Sequence, residues 1–448
     1  MAKPGDQFTD PDGNEYRYES MLGDGGQAVV WKIRRLSDGK EAALKLFKIA
    51  PTGQELTRQI ERLRRVCDVA RQIAESLPEA QICFPLMIYN RRGEFGVLME
   101  LAAGRALTDS SLLVNPLRQP EKYISQALSS VVTGEHQYWH FLLAGFHLSR
   151  AVAVIHRHGM THCDLSLANV FVNPADGRVS IIDCDNLACG GYLPVKVVGT
   201  PGFRAPELIL DQSTPPSPES DRHSLAVLLF CLAMFRHPLV GNTGANWNPS
   251  FKTENEAFGT KAVFTDHPKI KTNRFKNGLP FEALPTYLRS LFTDSFTDGL
   301  HDPKKRPQSM VWARELWRAL ENMTVCTHCK QRFFVTDSNA SCLFCGAKNP
   351  RRRWRLCLNN GRDLLAEPGR KLYEHHLRDM EFKFQTPLAE LKLREGEMVI
   401  KNLCPETWKV RLTSGGVLPC ETGKAFRFKG VTAVDFGRGR FGRIERVQ

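Results

Sequence analysis

The sequence predicts an α+β chain with a strand-rich opening, a longer helix-rich body, a short module organised by four cysteines and a small all-β end. Three observations lead there. Apolar residues alternate from Tyr16 to Phe47, broken by glycines, which is the period of strands. Between Thr52 and Leu320 helical spacing recurs, interrupted by short strands and Pro-rich loops. From Leu391 onward, short apolar runs return, separated by Gly and Pro. With 448 residues the chain exceeds what one core can organise.

Taken in order, YRYESMLGDGGQAVVWKIRRL and EAALKLF predict an antiparallel hairpin and a third strand. Leu56, Ile60, Leu63 and Val66 place an amphipathic helix from Thr52 to about Ser76. GEFGVLMEL (93–101) is a strand running into a linker, and 104–137 carries so little pattern that it is expected to be an insertion. Trp139 to His158 forms a long helix. Leu225 to Phe235 is the longest apolar run; its 11 residues are about half of a bilayer span, so a buried core helix is expected and no membrane. The first twenty residues hold no apolar stretch of the secretory kind, which predicts a cytoplasmic chain. Thirteen cysteines suit a reducing compartment, nine of them scattered singly as small buried hydrophobes. The net charge of +13 is uneven: residues 350–448 hold 21 Lys and Arg against 12 Asp and Glu. That bears on partners, not on fold.

One set of residues carries chemistry. Gly23, Gly25 and Gly26 lie between two strand-like runs, where missing side chains let backbone amides approach a triphosphate. Lys45 follows inside AALKLF. In HCDLSLANVF, Asp164 and Asn169 stand five apart between a helix and a strand, and Asp183 closes the apolar pair Ile181-Ile182. Phosphoryl transfer needs a carboxylate to receive a hydroxyl proton and oxygen ligands for magnesium near the γ-phosphate.

In this order the motifs resemble the eukaryotic-type protein kinase family, over about residues 15–320. The resemblance implies a bilobal fold, a small lobe at 16–103 after a tail (1–15) and a large lobe at 104–322, binding ATP and Mg²⁺. It implies that Gly23, Gly25 and Gly26 cover the phosphates and that Lys45 holds two of them. It makes Asp164 the catalytic base and Asn169 and Asp183 the magnesium ligands. Met99 takes the gatekeeper place, with Glu100 and Leu101 at the adenine hinge. Glu61, with Glu55 the alternative, is the helix acid that would pair with Lys45. GTPGFRAPE (199–207) resembles the end of an activation segment, with Thr200 inside it; Asp221 resembles the anchor of the buried helix, and Arg306 the partner of Glu207. These late motifs favour a protein substrate, phosphorylated on Ser/Thr, over a small molecule.

The chain also departs from that pattern. Ala28 stands for the third glycine, Cys163 for the arginine before Asp164, and Ser166 for a lysine. Asp183-Cys184-Asp185 replaces D-F-G, so the packing Phe and the hinge Gly are gone. No group the transfer requires is missing, so an active enzyme is expected, with a nucleotide-binding scaffold as the alternative. With a thiol at 163, a phosphorylated loop lacks its usual cationic partner, which predicts little dependence on loop phosphorylation.

Cys326-x-x-Cys329, twelve residues, then Cys342-x-x-Cys345 is the spacing of two knuckles around one tetrahedral zinc. Four thiolates close the shell, so the zinc of this ribbon (323–349) is structural. Arg351, Arg352, Arg353, Trp354 and Arg355 follow, in a stretch (350–390) expected to be a basic linker or, less simply, a contact for nucleic acid. Residues 391–448 form the small β domain and loosely resemble the closing strands of forkhead-associated domains. A kinase joined to a zinc ribbon also resembles a bacterial group associated with tellurite-resistance proteins, which implies a von Willebrand A-type protein as partner.

Overall fold

A computed structural model describes residues 2–73, 80–91, 93–109, 117, 120–189, 191–193, 199–241, 251–275, 278–334, 341–348, 353–378 and 382–447. The chain forms two compact units, Met1–Glu282 with Thr286–Leu316, and Ala283–Pro285 with Trp317–Gln448.

The first unit opens with β1 (Gln7–Thr9), β2 (Glu15–Asp24), β3 (Ala28–Arg35), β4 (Glu41–Phe47), helix α1 (Gly53–Ile73), β5 (Ala80–Ile82), β6 (Pro85–Arg91) and β7 (Glu94–Glu100). Six of these strands make one antiparallel sheet in the order β1-β2-β3-β4-β7-β6. Strand alternation gives the sheet two apolar faces. Tyr16, Tyr18, Trp31, Ile33, Leu44 and Leu98 pack on one, while Phe95, Val97 and Met99 meet Leu63 of α1 on the other. The hairpin, the third strand and the amphipathic helix thus stand where the sequence placed them.

The larger part of this unit follows with β8 (Arg105–Ala106), α2 (Pro120–Val132), α3 (Tyr138–Arg157), β9 (Met160–Thr161), β10 (Val170–Val172), β11 (Val179–Ile181), β12 (Ala188–Cys189), α4 (Pro206–Leu210) and α5 (Pro218–Met234). The expected insertion at 104–137 lies partly outside the described residues (110–116 and 118–119). The described part is structured: α2 buries Ile124, Ala127 and Val131 at helical spacing. Its polar residues on the other face are what dilute the pattern in the sequence. Helix α5 begins at a capping box of Ser217 and Ser220 with Pro218 in its first turn, and every residue from Leu225 to Phe235 is buried. No described helix is long and apolar enough to cross a membrane.

In the second unit, strand Met323–Val325 pairs with Arg332–Phe334 beside the four cysteines. Two sheets follow. One runs Asp363–Leu365, Arg353–Leu358, Arg440–Val447, Val431–Gly437, Trp408–Leu412, Val417–Cys420; the other runs Lys371–Leu372, Ala389–Arg394, Glu397–Asn402, Ala425–Arg427. Leu356, Leu364, Leu372, Leu391, Ile400, Trp408 and Val434, drawn from both sheets, share one core. The described part of the expected linker 350–390 is therefore built into this β domain. Arg353 and Arg355 mask an alternating strand, in which Leu356 and Leu358 face inward.

Candidate active site

The β10–β11 ribbon sets the centre of the site. Val170 stands opposite Ile181, and Ile182 N donates to Asn169 O at 3.0 Å. Antiparallel register therefore brings Asn169, just before β10, to the same end of the ribbon as Asp183, just after β11. Asn169 Nδ2 donates to Asp164 O at 2.8 Å, which ties the loop back on itself and turns the amide oxygen away from that carbonyl. Asp164 Oδ1 accepts the Thr200 amide at 2.7 Å, so this carboxylate holds the start of GTPGFRAPE.

Behind this loop stands Asp221, 2 % exposed, in the first turn of α5. It accepts the amides of His162 (2.7 Å) and Cys163 (3.1 Å) and the His156 Nε2–H (3.1 Å). Cys163 has φ 71°, a left-handed conformation that a β-carbon disfavours, and the two amide bonds hold it there. Burial pushes the Cys163 thiol up to about 12, so it is a neutral group beside Asp164. Arg306 makes a two-pronged pair with Glu207 (2.7 Å to each oxygen) and donates to the carbonyls of Gly299, Leu300 and Glu219. Arg204, in the same segment, pairs with buried Glu254.

The glycine turn is uncrowded. Gly25 N donates to Ala28 O at 3.0 Å, closing the turn, and a β-carbon at Gly23 or Gly26 would meet no atom within 4 Å. Met99 is buried opposite Ala43, and Glu100 stands opposite Ala42, with half-buried Leu101 next along the chain.

The lysine side of the site differs from expectation. Lys45 sits mid-β4 opposite Val97, on the face that α1 covers, and is 8 % exposed. Its ammonium engages Asp183, and Asp185 at 2.9 Å. Neither Glu61 nor Glu55 is its partner. Glu61 is on the solvent side of α1, taking the Tyr192 hydroxyl (2.8 Å) and Arg65 (3.3 Å), while Glu55 accepts from Gln59 (2.6 Å). The inward residues are Gln59, Arg62, Leu63 and Val66, and Glu61 falls between them in the helical turn. Arg62 donates to the backbone oxygens of Asp185 (2.6 Å) and Leu187 (2.8 Å) and to Gln59 Oε1 (2.9 Å). Burial alone would lower the Lys45 pKa, but Asp185 and Asp183 outweigh it and keep the ammonium charged. Burial likewise opposes ionisation of Asp183, and Lys45 overcomes it, holding that carboxyl below its usual value. Gly26, Phe47, Gln59, Arg62 and Asn186 line a cavity of about 340 Å³ beside this cluster.

Sequence reasoning missed Asp185, Arg62 and Asn186, which donates to Asp183 Oδ2 at 2.6 Å. The signal was present as a second acid where the resemblance expects glycine, and as an arginine on the apolar face of a helix. The donor set fits a hard cation, since the Asp183 carboxylate and the Asn169 amide oxygen are both oxygen ligands.

In the second unit the four cysteines converge. Cys326 and Cys345 sulfurs are 3.7 Å apart, and those of Cys329 and Cys342 are 3.6 Å apart. A tetrahedral thiolate shell with metal–sulfur bonds of about 2.3 Å sets its sulfurs about 3.8 Å apart, so the residues fit zinc. The amides of His328 and Phe344 point at Cys326 and Cys342 sulfurs, both at 3.4 Å. In a second cluster, Glu321, His375 and His376, His376 Nε2 donates to Glu321 and its Nδ1 accepts the Tyr373 amide at 2.7 Å, while His375 Nδ1 meets the Lys383 carbonyl at 3.0 Å. The basic run is paired too, Arg353 with Thr324 (3.1 Å) and Arg355 with Asp363 (3.5 Å), while Trp354 packs edge-on to Phe428; Arg351 and Arg352 lie outside the described residues.

A family model described as "Protein kinase domain" matches residues 16–307. The chain is 22 % identical over 284 residues to a probable serine/threonine-protein kinase PLK of Dictyostelium discoideum, covering 63 % of this chain and 26 % of that protein. It is 24 % identical over 239 residues to the serine/threonine-protein kinase PknA of Corynebacterium glutamicum, covering 52 % and 46 %. It is 25 % identical over 239 residues to calcium/calmodulin-dependent protein kinase type IV of Mus musculus, covering 52 % and 44 %. The match thus spans between a quarter and a half of these relatives' own lengths.

Proposed function

Because the chain belongs to the protein kinase domain family, we propose that it transfers the γ-phosphate of ATP to serine or threonine hydroxyls of a protein partner. The observation that carries this reading is the assembly of Lys45, Asp164, Asn169 and Asp183 around one ribbon end, with an uncrowded glycine turn in the same sheet as Lys45. Magnesium, when bound, would offset the negative charge of the phosphates. Asp183 and Asn169 would hold it, Lys45 would supply a fixed positive charge for the phosphates, and Asp164 would receive the proton of the attacking hydroxyl. The Arg306–Glu207 pair fixes the platform on which a peptide would lie.

The four cysteines hold one structural zinc in this reading, and the unit that carries them recruits or positions the substrate. A von Willebrand A-type partner rests on the domain arrangement alone. A scaffold that binds nucleotide without transfer is favoured by one observation: fully buried Ser166 puts no charge where a lysine is usual.

Radiolabelled ATP with purified protein separates the two. Wild type should label itself or an added protein, and Asp164→Ala and Asp183→Ala should lose about 10²–10³ in rate. Wild type that labels nothing under any divalent metal leaves the scaffold. Zinc analysis on the same samples should find one ion per chain, lost in Cys326→Ser.

A further inference from the structure

In this chain the buried lysine takes its counter-charge from the turn after β11, not from helix α1. Asp185 has no exposed surface, and its Oδ1 is 2.9 Å from Lys45 Nζ. Asp183 shares the same ammonium. The three acids of α1, Glu55, Glu61 and Asp68, are engaged elsewhere, by Gln59, by Tyr192 and Arg65, and by Arg71. The helix offers a cation at the inward position instead, and Arg62 grips the carbonyl oxygens of Asp185 and Leu187. Two acidic side chains and two cations thus meet in one largely buried cluster, where burial pushes the Asp185 carboxyl up and Lys45 opposes that. An aspartate here would be a costly residue without a purpose, because a buried carboxylate must be compensated. Its second oxygen, Oδ2, is buried and has no hydrogen-bond partner among the described residues.

We infer that Asp185 is the positioning residue for Lys45, doing from the metal-binding turn what a helix acid would do from α1. This rests on the nucleotide-binding part of the kinase reading. With Asp183 committed to a cation, Asp185 is the carboxylate that still fixes the lysine side chain. Helix α1 then acts one step removed, through Arg62 and the backbone of the turn. Orientation of the lysine follows the turn's conformation and does not require an ion pair between helix and sheet.

The test is a double-mutant cycle of Asp185→Asn and Lys45→Met, read by calorimetric titration of the full chain with ATP, with magnesium and with EDTA. A charge-assisted hydrogen bond in a buried site is worth about tenfold in affinity or more. Asp185→Asn should weaken ATP binding about tenfold in both buffers and raise KM for ATP with a smaller effect on kcat. In the Lys45→Met background the same substitution should change little. Asp185→Glu should recover part of the loss, and circular dichroism should show all variants folded. Unchanged affinity in Asp185→Asn overturns the inference. So does an equal loss with Lys45 absent, and so does a loss seen only with magnesium, which would make Asp185 a metal ligand. Transfer is read separately by radiolabel: wild type that binds ATP but labels no protein ends the kinase reading and leaves the binding cycle to judge Asp185.

Discussion

The two sides of the candidate active site are held by different kinds of bond. Around Asp164, backbone amides do the work: His162 and Cys163 donate to Asp221, and Thr200 donates to Asp164. Around Lys45, side-chain charges do it, through Asp183, Asp185 and Arg62. The first side follows the expected pattern closely and the second departs from it. A carboxylate that serves two backbone amides has no substitute, because the amides stay wherever the chain goes. A lysine needs only a negative charge within reach, and any nearby element can supply it.

The sharpest break of this comparison is Arg306→Ala. It strands Glu207 and releases the carbonyls of Gly299, Leu300 and Glu219, so about 3–5 kcal/mol of stability should go, measured by urea unfolding. A loss below about 1 kcal/mol would show that the well-matched side is less tightly built than its bonds suggest. Arg62→Ala should cost less, about 2 kcal/mol, because it removes donors from two carbonyls on the adaptable side. A loss equal to that of Arg306→Ala would erase the distinction between the two sides. The smallest effect is expected from phosphatase treatment. Cys163 offers a neutral thiol where a phosphate-gathering arginine would stand, so the rate should stay within about a few-fold. A collapse restored by rephosphorylating Thr200 would place a cation near the loop by another route.

Spacing and helix rotation decide what the sequence revealed. Asp164, Asn169, Asp183, Asp221 and the Glu207–Arg306 pair were legible because fixed spacing and backbone register set their places. The partner of Lys45 was not, since Glu61 and Arg62 are adjacent and a helix turns about 100° per residue. Choosing between them needs the helix's rotation, which a window of Leu56, Ile60, Leu63 and Val66 fixes only to within a residue. The four cysteines were legible from spacing alone. Strand Arg353–Leu358 was not, because its arginines find partners in Thr324, Glu367 and Asp363, which are distant or unremarkable in sequence.

That strand has a consequence for how the second unit comes to exist. Its register pairs Arg353 with Val447 and Leu358 with Gly442, while Asp363–Leu365 can cover only its other edge. As the polypeptide leaves the ribosome, Arg353–Leu358 therefore emerges long before its main neighbour. Until Arg440–Val447 arrives it is an open edge with Leu356 and Leu358 uncovered, the kind of strand that recruits wrong partners. Closing so long a loop is also slow. The arginines that hid the strand from pattern reading guard it during that wait, since like charges on neighbouring nascent chains keep such edges apart.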